Sequence, residues 1–273
     1  MRLLVTGTQG QVAQALAARA QEASVALELL GRPVLDLAEP AAAQAAMTAA
    51  INRFGPTLIV NAAAYTAVDQ AEDEPERAFA INGVGAGAMA AAAASAGLPI
   101  VQISTDYVFD GTKPSPYLAT DTPKPQSVYG ASKWAGERAV MAATPYHLII
   151  RTAWVHSPYG KNFVKTMLKL AETCDEVRVV ADQIGNPTSA FDIAEAILAA
   201  AHQIQTAPAT IPWGIHHLVG PEAMSWADFA TRILAESAAK GGPTAKVVPI
   251  TTAEFPTKAK RPGNSRLANS MPF

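Results

Sequence analysis

Cysteine is nearly absent from this sequence: Cys174 is the only one among 273 residues. No internal disulfide framework can form, and no cluster of thiolate ligands can hold a metal. Charge is sparse, at 16% of residues, and the 21 basic side chains nearly balance the 23 acidic ones. That balance argues against a nucleic-acid protein, which needs a concentrated basic surface. The N-terminus lacks a long apolar run, because Leu3-Leu4-Val5 meets Thr6-Gly7 at once. Such a run is too short for a secretory leader, so a cytoplasmic location is expected. None of the five histidines is spaced with Cys, Asp or Glu as a metal site requires, and no metal is expected.

One uncharged stretch, residues 83–104, is long enough to span a bilayer. Alanine and glycine make up most of it, and Gly97-Leu98-Pro99 cuts it in two. A buried helix, a turn and a buried strand are expected there, with no membrane span. The length fits one large domain or a core with a smaller lobe, at roughly 100–200 residues per domain.

Short apolar runs recur at Leu3-Leu4-Val5, Val25-Ala26-Leu27, Thr57-Leu58-Ile59-Val60, Ile100-Val101-Gln102-Ile103 and His147-Leu148-Ile149-Ile150. Runs that do not alternate, bounded by turn residues, suit strands buried on both faces of a parallel sheet. Ala-rich, helix-capable segments separate them at 11–23, 41–54, 75–96 and 127–143. This alternation predicts an α/β fold, a Rossmann-type doubly wound parallel sheet with right-handed crossovers. Past Trp154 the rhythm loosens: Val177-Arg178-Val179-Val180 and 214–219 read as strands, 191–202 as a helix, and 241–273 as irregular. The expected division is a dinucleotide-binding domain over 1–153 plus 189–219. A substrate lobe would take 154–188 plus 220–273.

Gly7-Thr8-Gln9-Gly10-Gln11-Val12-Ala13 follows the first strand and opens the first helix. Glycines there let the backbone approach a pyrophosphate, and the helix N-terminus offers unpaired N–H groups. The third glycine of the dinucleotide pattern is replaced by Ala13, and a plain turn is the competing reading. Near the end of the second strand stands Arg32, with no acid to grip a ribose 2′-hydroxyl. Arg32 facing a 2′-phosphate favours NADPH, with NADH left open; an ordinary surface charge is the alternative. Asp36 and Leu37 are placed beside the adenine.

Tyr129 and Lys133 lie i, i+4 in a predicted helix, a turn apart on one face. A tyrosine hydroxyl near pKa ~10 is a poor acid–base group at neutral pH, and an adjacent ammonium stabilises its phenolate. Such a pair can protonate the alkoxide formed when hydride reaches a ketone. An ordinary helix-surface pair is the competing reading. Thr105, at the carboxyl end of the fourth strand, is a candidate donor to a substrate carbonyl. Asn82 is a candidate for holding backbone near the site.

These residues resemble the extended short-chain dehydrogenase/reductase superfamily, and within it the dTDP-4-dehydrorhamnose reductase branch. The resemblance spans nearly the whole chain: Asn61-Ala62-Ala63-Ala64-Tyr65-Thr66, Ser104-Thr105-Asp106-Tyr107-Val108-Phe109, Tyr129-Gly130-Ala131-Ser132-Lys133, Arg151-Thr152-Ala153-Trp154, Asp182-Gln183-Ile184-Gly185-Asn186-Pro187 and Arg261-Pro262-Gly263-Asn264. It implies reduction of the 4-keto group of a nucleotide-linked 6-deoxy sugar. Carried over by position, Tyr129 is the proton donor, and Lys133 lowers its pKa and holds the nicotinamide ribose. Thr105 and Asp106 contact the sugar, with Thr105 counted as catalytic, and Trp154 lines the sugar pocket. Gly7, Gly10, Gln11 and Val12 hold the pyrophosphate, while Ala64, Tyr65 and Thr66 border the cofactor. Arg261 and Asn264 reach the substrate. The implied partner is a sugar nucleotide, with no nucleic acid or membrane, and a homodimer stays open. Some relatives bind Mg²⁺ at a dimer interface through C-terminal acids, but the usual acid is Ala268 here. A non-catalytic relative, the regulatory subunit of methionine adenosyltransferase, tends to replace the Thr-Asp pair that Thr105-Asp106 retains.

Overall fold

The apolar runs become parallel strands because each can bury both of its faces. The computed structural model describes residues 1–273. The chain starts with β1 (Arg2–Thr6), α1 (Gln11–Glu22), β2 (Ala26–Leu30), α2 (Pro40–Phe54) and β3 (Leu58–Asn61). Two short helices, α3 (Val68–Ala71) and α4 (Pro75–Phe79), follow. The second continues through a π-helical stretch, Ala80–Gly85, into α5 (Ala86–Ser95). Then come β4 (Ile100–Thr105), α6 (Val128–Ala143) and β5 (His147–Thr152). The last third contains β6 (Val155–His156), α7 (Phe163–Ala171), β7 (Glu176–Val180), β8 (Ile184–Gly185) and β9 (Thr188–Ser189). It ends with α8 (Ala190–Thr206), β10 (Gly214–His217), β11 (Met224–Ser225), α9 (Trp226–Ala239) and β12 (Lys246–Ile250).

Six strands form one sheet in the order β10-β5-β4-β3-β1-β2, every pair parallel. All residues of β3 and β5 are buried, as a sheet covered on both faces requires. One apolar cluster joins the sheet to α1 and α8, through Ala15, Leu16, Ile193 and Ile197. The other joins it to α2 and α5, through Met47, Ala50, Met89 and Ala93. The strand order reverses between β1 and β3, so a crevice opens beyond their carboxyl ends. On the short side β2 is the edge strand, because residues 31–39 run directly to α2 without adding another strand.

The uncharged stretch divides as expected, into the end of a helix and β4. Helix Pro75–Ser95 is long and apolar enough to cross a membrane by composition, yet half of that apolar window is buried. A third apolar cluster lies away from the sheet and contains Met167, Val177, Val179, Met224, Phe229 and Leu234. There β7 pairs with β12 and β8 with β11, while β6, whose Val155 packs against the main sheet cluster, pairs with β9. The irregular ending expected over 241–273 is wrong at 246–250. Pro249 disguises this strand in the sequence; a two-stranded ribbon tolerates it because one edge needs no N–H donor.

Candidate active site

The loop after β1 turns on Gly7, whose φ of +94° favours glycine and whose N–H donates to the Leu30 carbonyl at 2.6 Å. Gly10 then caps α1 without any side-chain hydrogen bond, and a Cβ built on it would meet nothing within 4 Å. An open cradle therefore faces the N–H groups of the first turn, which suits a pyrophosphate. The Val12 side chain is buried in the core. The Gln11 side chain turns away, with Nε2 donating to the Val155 carbonyl at 3.0 Å. Its Oε1 accepts from Ser157 and Asn162, both at 2.9 Å. The expected phosphate contacts of Gln11 and Val12 are thereby confined to the main chain. Arg32 is exposed and has no hydrogen-bond or ion-pair partner. Asp36 accepts from the Ala38 N–H at 3.0 Å, and buried Leu37 packs against the helix at Gly85.

The ends of the central strands are tied together by buried polar groups. The Thr6 hydroxyl accepts from the Ala63 N–H at 3.2 Å and donates to Asn61, whose amide donates to Gln102 at 2.7 Å. Asn82 clamps the next residues. Its oxygen accepts from the Tyr65 N–H at 2.8 Å, and its nitrogen donates to the Tyr65 carbonyl at 3.0 Å and to Ser132 at 2.9 Å. The Tyr65 backbone is thus tied through Asn82 to Ser132 of α6, the kind of backbone-holding role expected of Asn82.

Helix α6 begins at a Ser127 cap, whose hydroxyl accepts from the Gly130 N–H at 3.1 Å. Gly130 and Gly136 let it approach closely, since Cβ atoms there would lie 2.1 Å from the Tyr107 carbonyl and 2.0 Å from the Asn82 carbonyl. Tyr129 and Lys133 are both buried on this helix. Burial pushes the Tyr129 phenol well above its ordinary value; a Thr105 hydrogen bond opposes this and Asp106 adds to it. The ammonium expected to depress that phenol instead donates to the Ile103 carbonyl at 2.6 Å. Burial lowers Lys133 to about 8, with Glu137 pulling the other way. Its remaining N–H donors have no protein acceptor, which suits a cofactor ribose.

Thr105 ends β4 with its hydroxyl donating to Asp106 at 2.9 Å. Burial raises the Asp106 carboxyl to about 6, against hydrogen bonds from Ser265 and Thr105. Tyr107 meets Tyr129 edge-on, with ring centres 5.5 Å apart, and its hydroxyl accepts from Arg261 at 3.1 Å. Arg261 also pairs with Asp69 at 2.6 Å. Trp154 stacks on Trp226 at 3.5 Å and lies over Gly185, where a Cβ would sit 2.4 Å from the indole. Asn264 departs from the sequence expectation. Its amide donates to the Lys113 and Ser115 carbonyls at 2.6 and 2.9 Å, and its oxygen accepts from Arg266. These bonds fasten the loop and leave no free amide donor for a substrate.

The sequence reading assigned no role to Asp69, Glu137 or Arg151. The Arg151 guanidinium makes a two-point contact with Glu137 at 2.9 and 2.7 Å, and Ser104 donates to the same carboxylate at 2.5 Å. Both partners are almost fully buried behind Lys133. The one signal for this pair was Glu137 falling one turn after Lys133.

The model of the RmlD substrate binding domain family matches residues 1–272. The chain belongs to this family. A dTDP-4-dehydrorhamnose reductase of Sinorhizobium fredii is 50% identical over 267 residues, which cover 98% of this chain and 88% of that one. The crystal structure of a dTDP-4-dehydrorhamnose reductase from Clostridium acetobutylicum matches with a TM-score of 0.89 at 39% identity. One from Bacillus anthracis, in complex with NADP, matches with a TM-score of 0.90 at 35% identity. Each match covers 99% of this chain and 91% of the other.

Proposed function

We propose that this protein reduces the 4-keto group of dTDP-4-dehydro-L-rhamnose to give dTDP-L-rhamnose. It is an NAD(P)H-dependent oxidoreductase acting on a sugar nucleotide. The observation that carries this reading is that Tyr129 and Lys133 of α6 both meet the carboxyl end of β4, at Thr105 and at the Ile103 carbonyl, in a chain of this family.

The nicotinamide, when bound, supplies the hydride. Tyr129 acts as the acid: burial keeps its phenol protonated at neutral pH, the state a proton donor must start from. The single Thr105 O–H, which donates to Asp106, turns from that carboxylate to the substrate carbonyl oxygen as negative charge gathers there. The Tyr129 proton then passes to that oxygen. Lys133, one turn along and anchored on the Ile103 carbonyl, offers its remaining donors to the ribose. Gly7 and Gly10, with the main-chain N–H groups of Gln11 and Val12, receive the pyrophosphate; Arg32 reaches the 2′-phosphate, with Asp36 and Leu37 at the adenine. Ala64, Tyr65 and Thr66 border the nicotinamide end. Asp106, Trp154 and Arg261 face the sugar nucleotide. The separate apolar cluster of α7, β7 and α9 supports division into a dinucleotide domain, 1–153 plus 189–219, and a sugar-nucleotide lobe, 154–188 plus 220–273.

The test follows absorbance of reduced nicotinamide with purified protein and dTDP-4-dehydro-L-rhamnose, NADPH and NADH side by side. Tyr129→Phe should lower kcat by about 10²–10⁴-fold with an unchanged melting profile. Sugar-independent oxidation, or near-normal turnover in Tyr129→Phe, overturns the reading.

A further inference from the structure

Gln11 occupies the first turn of α1, directly after Gly10, yet all three hydrogen bonds of its side chain cross to a distant part of the chain. They run to Val155, Ser157 and Asn162, which are 144, 146 and 151 residues away. Each partner is itself fixed. Val155 directly follows Trp154, whose indole stacks on Trp226 in the lobe. Ser157 accepts from the Tyr159 N–H at 3.1 Å, and the Asn162 amide also donates to the Ser157 carbonyl at 2.7 Å. The Asn162 oxygen caps α7 by accepting from the Lys165 N–H at 3.1 Å. The loop closes down on the glutamine at Gly160, where φ is +62° and a Cβ would lie 3.5 Å from Gln11 Cγ. Glutamine suits this junction because one side chain must donate once and accept twice; glutamate has no N–H for Val155, and leucine makes none of the bonds.

We infer that Gln11 is a positioning residue that couples the two halves of the cleft, so that a dinucleotide settled on the first turn of α1 favours sugar-nucleotide binding beside Trp154. This rests on the function proposed above. The cofactor-facing atoms of Gln11 are main-chain N–H groups, while its side chain holds the segment from Val155 to the start of α7. A ligand that orders the first turn of α1 therefore orders that segment too. Such coupling is reciprocal: the sugar nucleotide must strengthen cofactor binding by the same factor.

Calorimetric titration of the full-length protein with dTDP, with and without saturating NADP⁺, reads the coupling directly. In the natural protein NADP⁺ should tighten dTDP binding by about fivefold or more. Gln11→Leu should reduce that enhancement to about twofold or less, and raise KM for the sugar nucleotide about three- to tenfold, the worth of one or two ordinary hydrogen bonds. Its kcat should change much less than its KM. Gln11→Glu, which keeps the bonds from Ser157 and Asn162, should retain part of the enhancement. Ser157→Ala removes a single bond and gives the same reading at smaller amplitude if Gln11→Leu does not fold. Natural protein that binds both ligands without enhancement overturns the coupling alone, as does an enhancement that survives in Gln11→Leu and Ser157→Ala. Natural protein that binds NADP⁺ but no dTDP overturns the substrate reading, and the coupling with it.

Discussion

Replacing Lys133 with methionine should make the ligand-free protein more stable while removing most of its turnover. The ammonium is buried, and its single protein acceptor is the Ile103 carbonyl. Burial lowers Lys133 from 10.5 to about 8, against the pull of Glu137. At about 1.4 kcal/mol per tenfold, that gap amounts to about 3 kcal/mol held against the folded state. The folded protein binds this proton less tightly than the unfolded chain does. The penalty is therefore complete below pH 8 and fades as pH rises from about 8 to about 10.5. Methionine keeps the length of the stem, and the Ile103 carbonyl still accepts from Gln102 at 2.8 Å. Glu137 keeps Arg151 and Ser104 as partners. With unfolding entropy of about 2.1 cal/mol/K per residue, a chain of 273 residues turns 3 kcal/mol into a Tm rise of about 5 °C. Scanning calorimetry of both proteins at pH 7 and again near pH 9.5 measures it, and the gain should shrink at the higher pH. Saturating NADPH should reverse the ranking, because the natural protein binds it more tightly and gains more from mass action. A ligand-free Lys133→Met that melts at or below the natural protein at pH 7 refutes the reasoning.

Arg151→Met strands the Glu137 carboxylate in the core and should cost about 3–5 kcal/mol in denaturant unfolding. Adding Glu137→Leu should recover most of that loss; a single variant within about 1 kcal/mol of the natural protein contradicts the account. Gly136→Ala places a Cβ 2.0 Å from the Asn82 carbonyl, so α6 must shift. A melt should show a loss of about 1–3 kcal/mol, and kcat should fall with it because Tyr129 and Lys133 ride on that helix. Arg32→Leu should lower the NADPH-over-NADH ratio of kcat/KM by about tenfold or more, as loss of a charge-assisted hydrogen bond does; an unchanged ratio leaves Arg32 a surface charge.

The parts of this protein that local sequence determines were readable in advance. Five apolar runs marked five of the six sheet strands, because a strand buried on both faces cannot alternate. Tyr129 and Lys133 announced themselves by a spacing that any α-helix converts into proximity. Contacts made across the chain left no such trace. The partners of Gln11 lie about 150 residues on, and Arg261 meets Asp69 across 192. Lys246–Ile250 has too short and too proline-marked a pattern to read as a strand, and it exists because Glu176–Val180 offers an edge. Burial likewise depends on the finished fold. The i, i+4 spacing placed an ammonium near Tyr129, whereas only the assembled core shows that ammonium directed at Ile103 and the phenol pushed upward.

The bonds from Arg261 to Tyr107 and Asp69 also set a schedule for synthesis. Tyr107 leaves the ribosome 154 residues before its guanidinium partner. At about 5–20 residues per second, that delay lasts roughly 8–30 s. The sheet strands through β5 can pair during this wait, since each finds its neighbours among residues already made. The wall of the cleft built from Asp69, Tyr107 and Arg261 cannot. A nascent chain can therefore pair β1 to β5 well before the sugar half closes, whereas α8 and β10, which complete the sheet and cover one of its faces, are made late in the same interval.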